Sequence, residues 1–186
     1  MKLVRMLALA ITTVLLCSAC SSQGESLWSK LGNAHDSNRN EVIEEILGGL
    51  ERKDFEALRQ LFSSNAIPHI ENFNEDVNRL FEYFSGTVVS YKNPCGGAEV
   101  HIEKEDGFIK EEKYWTYDIT TDECAYRIAF YEVSKDTKTP NNVGLWSIYI
   151  IKMEYDTDPE YAYRGDGEYT PGININVKNV LPEELP

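Results

Sequence analysis

The apolar residues of this chain change period once, at Gly86, and that change decides most of what the chain can fold into. Before it they recur at helical spacing; after it they alternate. Residues 40–50 place Val42, Ile43, Ile46, Leu47 and Leu50 on one stripe. Glu41, Glu44 and Glu45 fill the first turns, where the helix dipole favours anions. Gly48-Gly49 is expected to weaken that helix at its end. Asp54 reads as the cap of a second helix whose buried face is Phe55, Leu58, Leu61 and Phe62, closed by Ser63-Ser64-Asn65. Pro68 makes the next connection extended. A third helix over 74–84 sets Phe73, Val77, Leu80, Phe81 and Phe84 at helical spacing and stops at Gly86. Nothing between residues 40 and 86 spells a catalytic motif.

Beyond Gly86, residues 87–91 and 98–103 read as short strands either side of the turn Asn93-Pro94-Cys95-Gly96-Gly97. The second leads into an acidic bend, Glu105-Asp106-Gly107. Two longer runs, 114–121 and 124–133, flank Asp122-Glu123. A tight hairpin there sets Thr121 opposite Cys124 and pairs Ile119 with Tyr126, Tyr117 with Ile128, Trp115 with Phe130 and Lys113 with Glu132. Its other face pairs Asp118 with Arg127, Thr116 with Ala129 and Tyr114 with Tyr131. A slip of one residue would scatter both sets, so the register is strongly specified. Residues 143–153 are apolar on both faces, which suits a central strand, and 172–177 read as a last edge strand. Helices followed by strands give an α+β chain. Three N-terminal helices pack on one face of a strongly curved antiparallel sheet of four to six strands.

The first residues read as an address. Lys2 and Arg5 precede the apolar run 6–16, which is short for a permanent bilayer span. Cys17-Ser18-Ala19-Cys20 and the polar Ser21-Ser22-Gln23-Gly24 follow. Small residues before a cysteine, directly after an apolar run, resemble the lipobox of bacterial lipoproteins. That resemblance implies a signal peptide over 1–19, palmitate-type fatty chains on Cys20, a tether over 20–35, and a place on the extracytoplasmic face of the cell membrane. An ordinary secretory cleavage after Ala19 is the alternative. The remaining divisions are one domain over 36–178 and a tail over 179–186. The formal charge is −13 before any processing, and losing Lys2 and Arg5 makes it more negative. So acidic a chain is a poor partner for nucleic acid, and membrane binding has to come from the lipid. In an oxidising compartment Cys95 and Cys124 are a disulfide candidate, and two free thiols are the other reading.

The run Lys53-Asp54-Phe55-Glu56-Ala57-Leu58-Arg59-Gln60-Leu61-Phe62-Ser63 resembles the second-helix signature of nuclear-transport-factor-2-like (cystatin-like) domains. With Phe84-Ser85-Gly86 and Val143-Gly144-Leu145-Trp146 it is similar to a family of Firmicutes lipoproteins whose domain has no assigned function. The resemblance covers most of residues 36–175. It implies a cone-shaped half-barrel of sheet wrapped on the helices, and no catalytic residues.

His35, His69 and His101 lie far apart without nucleophile or metal-site spacing. Asp118 sits among aromatics, but the register pairs it with Arg127. The acids around Asp156, Asp158 and Glu160, with Asp166 and Glu168, fail the EF-hand pattern because Tyr161 stands where glycine is needed. No cofactor or metal set is expected. Phe84, Trp115, Tyr117, Tyr126, Phe130 and Trp146 are candidates to line a pocket inside the cone, with plain core packing as the competing reading. The leading functional reading is a lipid-anchored domain that binds a small ligand or a protein partner without chemistry. The alternatives are a small hydrolase, isomerase or dehydratase with an acid or base in the cone, and an interaction module using its acidic surface.

Overall fold

The computed structural model describes residues 41–162 and 169–178. The signal-peptide, lipobox and tether readings, His35, Asp166, Glu168 and the tail lie outside the described residues. Helix α1 (Glu41–Arg52) buries Ile43, Ile46, Leu47 and Leu50. It continues through Gly48-Gly49, because Gly49 is where α2 (Phe55–Leu61) comes closest. A Cβ there would lie 2.7 Å from Leu58 Cδ2. The glycine pair permits close packing and does not end the helix. Asp54 caps α2 as expected, its Oδ1 accepting from the Ala57 N–H at 3.0 Å. Helix α3 (Phe73–Tyr83) turns Phe73, Val77 and Leu80 inward.

Six strands follow: β1 (Val88–Lys92), β2 (Glu99–Glu105), β3 (Phe108–Thr121), β4 (Ala125–Asp136), β5 (Gly144–Lys152) and β6 (Gly172–Ile175). They form one curved open sheet in the order β1-β3-β4-β5-β6, with β2 also paired to β3. The C-terminal part of β3 borders β1 and its N-terminal part borders β2. Every β3–β4 pair expected from the hairpin register is present, from Ile119 with Tyr126 to Lys113 with Glu132. Two features differ from expectation. Strand β3 begins at Phe108, because Asp106 and Gly107 take φ of 48° and 85° and make the two-residue turn that joins β2 to β3. Strand β6 runs parallel to β5, so the sheet is mostly rather than wholly antiparallel. The register shifts between Val88 and Ser90, Glu111 and Glu112, and Tyr131 and Glu132, and such bulges bend the strands that carry them.

The far edge of β5 is shared. Its later residues pair with β6, and Leu145 is bridged by the chain leaving α2, with the Ser63 N–H donating to the Leu145 carbonyl at 2.9 Å. Gly144 makes that approach possible: its φ is +127°, and a Cβ would meet the Ser63 nitrogen at 2.8 Å.

Helices and sheet are tied by two tyrosines. Tyr126 is wholly buried; its hydroxyl accepts from the Ser85 N–H at 2.9 Å and donates to the Tyr83 carbonyl at 3.1 Å. The Tyr83 hydroxyl accepts from the Lys152 N–H at 2.9 Å and donates to Asn176 Oδ1 at 2.5 Å. The end of α3 is thereby fastened to β4, to β5 and to the residue after β6.

Cys95 and Cys124 carry no bond to each other in the structure, the free-thiol reading of the two. The register gives the reason. Val88 pairs with Thr121, beside Cys124, whereas Cys95 follows Lys92 at the other end of β1. At about 3.3 Å per residue, β1 alone is roughly 13 Å long, against the ~7 Å a disulfide spans.

Two tests follow from the tyrosine ties. Tyr126→Phe strands the Ser85 N–H and should lower unfolding stability by about 1–3 kcal/mol, read as a lower urea midpoint with an unchanged slope; an unaltered midpoint would remove Tyr126 from this role. Burial chiefly raises the Tyr83 hydroxyl from 10.0 to about 12. A raised pKa means the contribution is fully present below pH 10 and is lost as pH rises through about 12. Alkaline titration of phenolate absorbance should therefore lose a component near 12 in Tyr83→Phe; a difference spectrum centred at the ordinary tyrosine value contradicts the assignment.

Candidate functional site

Strand alternation gives the sheet two faces, and the helices cover one. On the inner face Trp115, Tyr117 and Ile119 of β3 stand beside Phe130, Ile128 and Tyr126 of β4, then Ile148 and Ile150 of β5. Four of the six candidate pocket residues are core: Phe84 is 6 % exposed, Tyr117 1 %, Tyr126 0 % and Phe130 2 %. Phe84 stacks on Tyr126 at 4.9 Å, and Tyr117 lies parallel to Phe130 at 6.2 Å. Side chains this covered line no open pocket, and of the two readings these four follow core packing. The reason is supply of volume: the aliphatic stripes of α1 and α3 fill the space over the sheet.

Trp115 and Trp146 are half-buried. Trp115 Nε1 donates to Glu132 Oε1 at 2.8 Å, and Trp146 lies 5.6 Å from the ring of His69. The structure thus brings Trp115, Tyr117 and Phe130 into one stack and Phe84 with Tyr126 into another.

The outer face carries three cross-strand rows: Tyr114, Tyr131 and Ser147; Thr116, Ala129 and Tyr149; Asp118, Arg127 and Ile151. Tyr114 and Tyr131 stack at 4.7 Å with ring planes 9° apart. Tyr169 closes over both, 4.6 Å from Tyr114 and 5.7 Å from Tyr131. Its φ of 54° turns its carbonyl to accept from Trp146 Nε1 at 3.0 Å. Beneath these rings Ser147 is 0 % and Thr116 3 % exposed, and their hydroxyls meet no protein partner among the described residues. The crevice between Tyr114, Tyr131, Ser147 and Tyr169 measures about 10 Å³, about the size of one water. The outer face is a tyrosine shelf over buried hydroxyls, not a cavity.

One end of the shelf is electrically tied down. Tyr131 donates to Glu112 Oε1, and Lys110 Nζ lies 2.5 Å from the same carboxylate. Burial, and then the Glu112 carboxylate, raise Tyr131; burial and Glu112 raise Tyr114. Burial pushes Glu112 upward, but hydrogen bonds from Lys110 and Tyr131 outweigh it and leave the group below its ordinary value. All three are driven away from neutrality. At the other end Arg127 bridges Asp118, Nε to Oδ1 at 2.8 Å, and Asp156, Nη1 to Oδ1 at 2.5 Å. Asp118 is thus an ion-pair member, and Asp156 is held by a guanidinium. Among the described residues no His, Cys, Asp and Glu group forms a metal-sized cluster.

Beside the shelf runs β2, with His101 opposite Glu112 and Glu99 opposite Tyr114. The whole strand is exposed, including Val100 and Ile102 at 49 % each. Sequence reasoning reads the strand over 98–103 and the acidic bend after it, where Asp106-Gly107 makes the β2–β3 turn, but not that the strand is exposed throughout.

A model of the Domain of unknown function (DUF5104) matches residues 45–153, from the middle of α1 to just past β5. No curated protein matches the chain. A match over more than half of the chain shows the family: the protein belongs to the DUF5104 domain family.

Proposed function

We infer that the protein is an extracytoplasmic lipoprotein, anchored to the cell membrane through lipid on Cys20, whose domain binds a partner without doing chemistry. The nuclear-transport-factor-2-like (cystatin-like) arrangement and the kinship to Firmicutes lipoproteins belong to the same proposal. They rest on the lipobox-like Cys17–Cys20, the α2 run around Asp54–Phe62, and helices laid on one face of a curved sheet.

The single observation behind the binding reading is the electrostatics of the tyrosine shelf. A general acid or base works best with a pKa near the operating pH. Here Tyr114 and Tyr131 are raised and Glu112 is lowered, so each keeps one protonation state at neutral pH. What such a shelf offers is flat aromatic area beside hydrogen-bonding groups, the composition of a contact surface. The filled interior points the same way, since the aromatics that would line a cone are spent on packing.

The anchor is tested by Cys20→Ser, which should move the protein from the membrane fraction to the soluble one; unchanged membrane retention refutes lipidation there. For the shelf, a photo-crosslinking phenylalanine analogue at Tyr114 should yield a discrete adduct in intact cells. The same analogue at Glu82, on the outer side of α3, should not. No adduct at Tyr114, or equal adducts at both positions, overturns the shelf as a partner contact.

A further inference from the structure

Strand β2 is ordered without being buried. All seven of its residues are exposed, and β3 is its sole strand partner among the described residues. Its order comes from the continuous pairing of Glu99–Glu105 with Phe108–Tyr114 and from the tight turn at Asp106-Gly107. Strand β3 in turn is held between β4 and the β1–β2 edge, so β2 presents a rigid outer edge about 23 Å long at 3.3 Å per residue. An edge of this length with no strand on it among the described residues is what an added strand pairs with, and proteins that leave one open either blunt it or use it.

The side chains along this edge select what can pair. Val100 and Ile102 project on one face, while Glu99, His101, Glu103 and Glu105 project on the other. Counting Asp106 of the turn, the hairpin tip carries three carboxylates, Glu103, Glu105 and Asp106, against Lys104. Of the nearby basic side chains, Lys110 stands opposite Glu103 but is engaged by Glu112 at 2.5 Å, His101 lies 3.6 Å from Glu103, and Lys113 lies 2.8 Å from Glu111. A second copy of this chain fits poorly. Antiparallel self-pairing centred on Ile102 sets Glu99 against Glu105 at both ends, and like charges directly opposite are destabilising.

We propose that β2 is a strand-addition site for an extended cationic segment, one that alternates Lys or Arg with apolar residues. The segment's main chain would pair with the outer edge of β2. Its apolar residues would extend the Val100–Ile102 face, and its cations would stand beside Glu103 and Glu105. This rests on the reading of the domain as a partner-binding module and names the chemistry of the partner.

The test uses the full chain carrying Cys20→Ser and the peptide Lys-Val-Lys-Ile-Lys-Val-Lys-Ile as probe. Binding followed by fluorescence anisotropy should weaken as salt is raised and should protect the amides of residues 99–105 from hydrogen exchange. Glu103→Lys with Glu105→Lys should weaken it about tenfold, since each change removes an exposed ion pair and adds repulsion. Both positions are exposed, so unchanged circular dichroism separates lost binding from lost fold. A probe with proline at its centre should not bind.

The proposal is overturned if the peptide fails to bind, if the charge reversal leaves affinity intact, or if protection appears on another element. Concentration-dependent dimerisation of the chain alone that disappears in Ile102→Lys would also overturn it, in favour of a second copy. Failure here with the Tyr114 adduct retained removes strand addition alone; loss of the Tyr114 adduct removes the binding reading itself.

Discussion

The register of β3 on β4 is the constraint from which the rest of this structure follows. With Trp115 opposite Phe130 and Tyr117 opposite Ile128, every side chain that the helices must cover falls on one face. A shift of one residue would exchange Tyr117 and Ile119 for Thr116 and Asp118 and lay a carboxylate against α3. Full burial of each large apolar side chain contributes about 1.5–3 kcal/mol, so the wrong register forfeits several such terms at once. The same register sets Tyr126 where its hydroxyl can satisfy the chain leaving α3. It also sets Arg127 between Asp118 and Asp156, and Tyr114 under Tyr169. Core, ion cluster and shelf are three consequences of one alignment.

That alignment explains why the interior is closed. A sheet bent over helices holds a cavity only where the helices stop short of its wide end. Here Phe84, the residue just after α3, is buried and stacks on Tyr126, with Tyr83 beside it. Tyr83 then reaches on to Lys152 and Asn176, so the region most apt to open is cross-linked by hydrogen bonds. The helices leave the outer face of the sheet and its β2 edge uncovered.

How much of this was legible depended on whether the signal was local. Helix stripes, the Asp54 cap and the β3–β4 pairs are set by residues a few positions apart or facing each other across one hairpin, and they read correctly. The parallel placement of β6 was not legible. Gly172–Ile175 has the alternation of any edge strand, and only its fit beside β5 sets its direction. Nor could alternation decide whether Tyr117 and Phe130 face a void or a helix, because an aromatic face looks the same in both cases. That depended on how far α1 and α3 extend over the sheet. Gly49 and Gly144 carry the same lesson. Read locally, the first is a helix breaker; in the fold each is a place where another segment comes too close for a Cβ. The tyrosine shelf was half legible. The Tyr114–Tyr131 pair follows from the register, but Tyr169, thirty-eight residues beyond Tyr131, does not.

Strand β2 inverts the usual relation between order and burial. Most strands are fixed because one face is covered; this one is fixed by backbone pairing and by a turn whose two residues take positive φ. Apolar burial contributes little to its position, so its side chains are free to answer to other demands. They answer to two at once. Carboxylates along the edge disfavour pairing with a like copy, one of the ways an exposed strand carrying Val100 and Ile102 is blunted. The same carboxylates are not neutral toward all partners. A charge that repels a copy of itself attracts its opposite, so in the proposed strand addition the device that protects the edge would also select what the edge admits.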